Sequence, residues 1–255
     1  MTRRMLTGKK GVVFGIRSPR SIGWTIAQTA SRNGAELCLS YRGEREQRRA
    51  EQLSQELDGA LILPCDVTSD EQIETLYREL GASWDGLDFI VHSVAFGRQD
   101  DMEAGVIGTS RDGFALMNEI SAYSLAAVAR PAVALMKPGA SIIAMSYVAS
   151  ERVVPSYGPM GVAKAALECT VRYLASELGS KGIRCNALSP GPISTPAARG
   201  IPQFTNLLRG TEDCAPLHRN VTLDEVANAA VFLLSDLSSA ITGETLHVDC
   251  GMHIA

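Results

Sequence analysis

Seven short runs rich in apolar and β-branched residues recur along the chain, at Gly11–Ile16, Glu36–Tyr41, Ala60–Cys65, Asp88–Val94, Ser141–Tyr147, Ile183–Leu188 and Thr245–Asp249. Each reads as a nearly continuous hydrophobic stretch, the pattern of parallel strands buried on both faces. Between them lie segments of helical spacing, over roughly 21–33, 43–57, 69–83, 111–136, 158–180 and 222–236, with Ser69 and Thr222 standing ahead of acidic residues where N-caps belong. Strand and helix in alternation predict an α/β fold, a Rossmann-type doubly wound parallel sheet of about seven strands. No repeat or low-complexity linker interrupts the order, which predicts a single domain over 1–255. The long irregular stretch 189–220 is rich in Pro, Gly and Thr, and its part from 194 to 220 predicts a lid or binding loop.

Composition excludes more than it identifies. Hydrophobic residues make up 45% of the 255, charged residues 20%, and the net charge is −4, so the chain offers no polybasic footprint for nucleic acid. No run approaches the ~18 apolar residues expected of a membrane-crossing helix, and the N-terminal VVF is too short for a secretion signal. A cytoplasmic protein without nucleic-acid or membrane partners is expected. The six cysteines are far apart with no C-x-x-C pair, and the four histidines show no metal-ligand spacing, so the cysteines read as reduced and structural and no metal is expected.

In a doubly wound sheet the first strand-to-helix turn receives a pyrophosphate on free backbone N–H groups. Here that turn is GIRSPRSIG, Gly15 to Gly23, without the G-x-G-x-x-G fingerprint, so by itself it reads either as an ordinary glycine-containing turn or as a nucleotide loop. Other strand ends add context. At Cys65-Asp66-Val67, Asp66 can accept from an adenine amino group; at Ser93-Val94-Ala95, small side chains let a ribose lie against the backbone; Ser189-Pro190-Gly191-Pro192-Ile193 ends a later strand. The second strand ends in Tyr41-Arg42 rather than the acidic residue that usually binds a ribose hydroxyl. Arg42 either meets a 2′-phosphate, favouring NADPH, or stacks on adenine without discriminating, or is a solvated charge at a helix start.

The segment SYVASERVVPSYGPMGVAK, 146 to 164, carries two tyrosines and a lysine. With the strand ends above, with Ile120-Ser121-Ala122-Tyr123-Ser124, and with Ile241-Thr242-Gly243-Glu244 leading to His247-Val248-Asp249, the chain resembles short-chain dehydrogenases/reductases over essentially its whole length. Within them it most resembles the bacterial enoyl-acyl carrier protein reductases of type II fatty acid synthesis. Ordinary members of the superfamily place a tyrosine four residues before the lysine and a serine thirteen before that tyrosine; those positions hold Met160 and Tyr147 here, and Tyr157 supplies a phenol seven residues before Lys164.

The resemblance implies hydride transfer from NADH or NADPH to a trans-2-enoyl thioester carried on acyl carrier protein. Tyr157 would donate to the developing oxyanion, its hydroxyl open to acidification by a nearby ammonium, and Lys164 would hold the nicotinamide ribose. Tyr147 contacts the substrate carbonyl, relays a proton or walls the pocket. Gly15, Ser21, Ile22, Arg42, Asp66, Val67, Ser93, Val94, Gly191, Ile193 and Thr195 fall at cofactor-contacting positions, and Ala95, Gly97, Ala197, Ile201 and Phe204 at substrate-contacting ones. The family's basic substrate helix is largely replaced by Pro202-Gln203-Phe204-Thr205-Asn206, leaving Arg199 and Arg209 for carrier docking. A homotetramer packed through the C-terminal segment is also implied. Two alternatives stay open: a related reductase with a different enone or carbonyl substrate, and a dinucleotide-binding protein without catalysis.

Overall fold

The computed structural model describes residues 4–195, 198 and 204–255. Seven parallel strands, β1 (Lys10–Phe14), β2 (Glu36–Tyr41), β3 (Leu61–Pro64), β4 (Leu87–His92), β5 (Met136–Met145), β6 (Arg184–Pro190) and β7 (Thr245–Val248), form one sheet in the order β3-β2-β1-β4-β5-β6-β7. The order reverses between β1 and β4, the switch point at which open α/β sheets bind ligands.

Helices cover both faces. Alternate residues of each strand point to opposite layers, so Val12 and Phe14 join one core with Ile73, Leu76 and Leu80 of α3 (Asp70–Ser83), Leu125 and Val128 of α7 (Ser124–Ala132), and Leu167 and Val171 of α8 (Gly158–Gly179). Val13 faces the other way, toward Trp24, Ile26 and Ala27 of α1 (Ile22–Arg32), Leu53 of α2 (Glu44–Ser54), and Val226 and Ala230 of α10 (Leu223–Leu234). Two cores sharing one sheet explain why the strand segments are continuously apolar. The expected caps form: Ser69 accepts from Gln72 N–H, and Thr222 builds a reciprocal capping box with Glu225.

Three features depart from the sequence expectation. The segment 111–136 is not one helix: α6 (Arg111–Asn118) passes through a π-helical turn at Glu119–Tyr123 into α7, and Met136 already belongs to β5. The wide turn sits where Ser121 Oγ bonds the Phe96 backbone and where the Ser124 hydroxyl donates back to the Ile120 carbonyl at 2.6 Å. Two short helices, α4 (Gln99–Glu103) and α5 (Gly105–Gly108), follow β4 where no periodicity marked them, and α9 (Phe204–Cys214) lies within the stretch read as a lid. Strand β5 ends at Met145, so Tyr147 lies in the extended segment just beyond it. Among the described residues, no helix is long and apolar enough to cross a membrane.

Candidate active site

The strand register brings the exits of β1, β4 and β5 side by side, with Phe14 opposite His92 and His92 opposite Ala144. Gly15 then turns with φ +89°, and a β-carbon there would lie 1.9 Å from the Ser93 carbonyl oxygen. Only glycine lets the first turn lie this close to the exit of β4. Ser21, the N-cap of α1, gives its hydroxyl to the Ser18 carbonyl at 2.8 Å and does not cap its own helix. The first turn of α1 holds no acidic residue, so the positive end of the helix is left for an anion in the cleft that Ser21 and Ile22 line.

A cleft of about 460 Å³ runs from this turn across the sheet edge and is lined by Gly15, Ser21, Ile22, Ser93, Val94, Ala95, Gly97, Tyr147, Tyr157, Lys164, Gly191, Ile193, Thr195 and Phe204. An adjoining cavity of about 130 Å³ takes in Arg42, Asp66 and Val67, and both are walled by Gly15, Arg17, Val94, Ala95 and Phe96. They form one trough, polar toward Arg42 and Asp66 and apolar around Phe96, Met102, Met160, Phe204 and Leu207. Its length, the glycine-floored turn and the open N-terminus of α1 fit an extended dinucleotide with an apolar substrate beside it. Ala197 and Ile201, expected on the substrate side, and Arg199 lie outside the described residues.

Tyr157 is the N-cap of α8 and Lys164 follows about two turns later, both buried and both on the cleft wall. The rings of Tyr147 and Tyr157 pack with centroids 4.8 Å apart at 51°. Tyr147 Oη is buried without a hydrogen-bond partner among the described residues, so a phenol is available to a ligand. Lys164 Nζ donates to the Met145 carbonyl at 2.6 Å, and burial pushes its pKa down to about 8 against the opposing pull of Glu168.

The expected acidification of Tyr157 does not occur. Burial first, and the neighbouring Tyr147 second, hold its phenol well above the ordinary value of about 10, because removing the ring from water penalises the phenolate. Burial raises Tyr147 in the same direction. Both hydroxyls are therefore protonated, and both are donors.

Sequence reading missed several residues of the site. Arg17 lines both cavities from within the quoted first turn. His92, fully buried behind the cleft, places Nε2 2.7 Å from Ser124 Oγ; that hydroxyl spends its proton on Ile120, so the imidazole donates. Burial, followed by the charge of Lys164, drives His92 down to about 3 and keeps it neutral. Glu168, also buried, takes the hydroxyls of Ser146 and Ser150. Its spacing of four from Lys164 was visible in the sequence; its burial was not.

The sheet order, the trough at the switch point and the phenol and ammonium on α8 define a reductase of the short-chain dehydrogenase/reductase superfamily. A family model described as enoyl-(acyl carrier protein) reductase matches residues 15–253. The enoyl-acyl-carrier-protein reductase (NADH) FabI of Bacillus cereus is 47% identical over 256 residues, covering 98% of each chain. The chain belongs to the enoyl-acyl carrier protein reductase family. The FabI of Escherichia coli K12 is 41% identical over 251 residues, or 98% of this chain and 96% of that one. Among solved structures, the Bacillus cereus reductase with NADP+ and indole naphthyridinone superposes with a TM-score of 0.96 at 46% identity, covering 98% of both chains. The Aquifex aeolicus enoyl-acyl-carrier-protein reductase (NADH) gives 0.95 at 42% identity, again covering 98% of both.

Proposed function

We propose that the chain reduces the carbon–carbon double bond of a trans-2-enoyl thioester in type II fatty acid biosynthesis. The observation that carries this reading is the placement of Tyr157 against Tyr147 in the same buried cleft as Lys164, with Met160 on the wall where a carbonyl reductase of this superfamily keeps its tyrosine. NADH or NADPH bound in the trough supplies the hydride that adds to the β-carbon. Negative charge then develops on the thioester carbonyl oxygen, and Tyr157, held protonated, donates to it. Tyr147 flanks the same oxygen with a hydroxyl that has no partner among the described residues. Lys164 holds the ribose hydroxyls and adds positive potential, while Phe96, Met102, Met160, Phe204 and Leu207 keep the acyl chain out of water.

Gly15, Ser21 and Ile22 would hold the pyrophosphate, Asp66 and Val67 the adenine, Ser93 and Val94 the ribose, and Gly191, Ile193 and Thr195 the nicotinamide end. Crotonyl and decenoyl thioesters on acyl carrier protein, offered with NADH and then NADPH, should be reduced with loss of the dinucleotide's absorbance. Oxidation of neither cofactor would sink the proposal. The same thioesters on coenzyme A measure how much the carrier contributes; α9 carries one cation, exposed Arg209, against Glu212 and Asp213.

Arg42 lines the adenine end, where a 2′-phosphate would reach it. Arg42→Ala should raise the KM for NADPH by about tenfold, the equivalent of one charge-assisted hydrogen bond, and that for NADH much less. An equal rise for both would identify adenine stacking instead.

Assembly as a homotetramer is part of the same proposal. Val162, Ala166, Cys169 and Tyr173 recur at helical spacing along α8, and Val162, Cys169 and Tyr173 are exposed, with Phe114 and Tyr123 exposed on α6 and the π turn. An exposed apolar stripe of this kind is a surface for a second copy. Light scattering would report four chains. A cytoplasmic location, where carrier-linked thioesters and free dinucleotide would meet, belongs to the same proposal.

A further inference from the structure

Glu168 is a buried acid that the mechanism above leaves unused. It lies on α8 one helical turn beyond Lys164, so the two side chains share a face. Its Oε1 receives the hydroxyl of Ser146, and Ser150 Oγ lies 2.6 Å from the same oxygen. Ser150 Oγ is also 2.9 Å from the Tyr147 carbonyl oxygen; its single proton serves one of these two acceptors at a time, so Ser150 sits between Glu168 and the residue that carries the phenol. Lys164 holds the Met145 carbonyl, immediately before Ser146. Gly161 lets the helix come this near, since a β-carbon there would lie 2.8 Å from the Ala149 carbonyl oxygen. Helix α8 therefore grips the segment 145–150 at Met145, Ser146 and Ser150, the last two through one carboxylate.

We propose that Glu168 is a positioning residue for the reduction, holding the Tyr147 segment in place through Ser146 and Ser150 and setting its carboxyl group as the charge partner of Lys164 one turn away on α8. Among the described residues the other titratable groups near Lys164 supply no negative charge: His92 on β4 is neutral, and Tyr147 and Tyr157 across the cleft are protonated. Glu168 opposes the desolvation that pulls Lys164 down to about 8. Without it, the lysine would lose its proton closer to neutrality.

This inference rests on the reductase reading for its meaning, and its charge partnership is tested without turnover. Glu168→Gln keeps the shape and one acceptor oxygen and removes the charge. In nucleotide-free protein labelled at the lysine side chains, NMR should show Lys164 titrating near 8 in the wild type and about one unit lower in the variant, the size of shift an opposite charge at close range produces. An unmoved titration in a folded variant would overturn the proposal. The alkaline limb of NADH binding, followed by fluorescence, should move the same way. Should enoyl reduction fail in the wild type, the reductase reading falls while the titration still decides Glu168. The double change Ser146→Ala with Ser150→Ala keeps the charge: it should leave the Lys164 titration in place and lower kcat more than it alters nucleotide affinity. An unaffected kcat there would remove the positioning role.

Discussion

Tyr157→Phe is expected to lower kcat by about 10²–10³-fold, the usual cost of deleting one oxyanion donor from a preorganised site, while leaving the Kd for NADH within about twofold. The two readouts separate because the hydroxyl acts on charge that exists only in the transition state, whereas the ring keeps its contact with Tyr147 in either variant. Because burial holds the phenol well above its ordinary range, Tyr157 is already in its donating form at neutral pH. Its titration should therefore contribute no limb to the kcat profile below about pH 10. Single-turnover rates with a saturating enoyl thioester check both statements. An unchanged rate would move the donor role to Tyr147, whose hydroxyl is buried beside it, and Tyr147→Phe is the natural second measurement.

What could be read from the chain beforehand divides along a physical line. Local rules set β2, expected and found over Glu36–Tyr41, because an apolar run bounded by turn residues needs no distant partner to declare itself. The caps at Ser69 and Thr222 were equally local. Helical periodicity ran on through 111–136 because a π turn inserts a residue without changing the apolar character, and the hydrogen bond that Ser121 Oγ accepts from Phe96 N–H crosses the fold. The roles of Tyr157 and Lys164 came from the family resemblance, while their sharing of one cleft wall was legible from the seven-residue spacing. Glu168 was not, since an acid at that position of a helix ordinarily faces water, and only the approach of Ser146 and Ser150 makes it an interior group. The protonation state of Tyr157 also required the fold: the sequence places an ammonium two turns away, whereas in the structure burial first and Tyr147 second set the phenol, both upward.

Lys164→Met is expected to impair function and relieve a cost in stability in the same protein. The variant loses the ammonium that would hold the ribose, so nucleotide affinity and turnover should fall together, by about 10²-fold or more in kcat/KM, which is the effect of a charge-assisted contact. Stability moves the other way. Lys164 has a folded-state pKa of about 8 against 10.5 ordinarily, so below pH 8 folding carries the full cost of burying the ammonium. Between about 8 and 10.5 the folded protein has released this proton and the unfolded chain has not, and wild-type stability gains from each step upward in pH. The whole interval corresponds to about 3 kcal/mol. Methionine has no such charge, so the difference in unfolding free energy between variant and wild type should favour the variant most near neutral pH and shrink by that amount as pH rises through the interval. Loss of the hydrogen bond to the Met145 carbonyl subtracts roughly 1–3 kcal/mol from the variant at every pH, which shifts the curve without changing its slope. Urea unfolding of the two proteins across this range reads the slope directly. Parallel curves would mean that Lys164 is not buried as a cation, and the role given to its charge in both binding and reduction would have to be withdrawn.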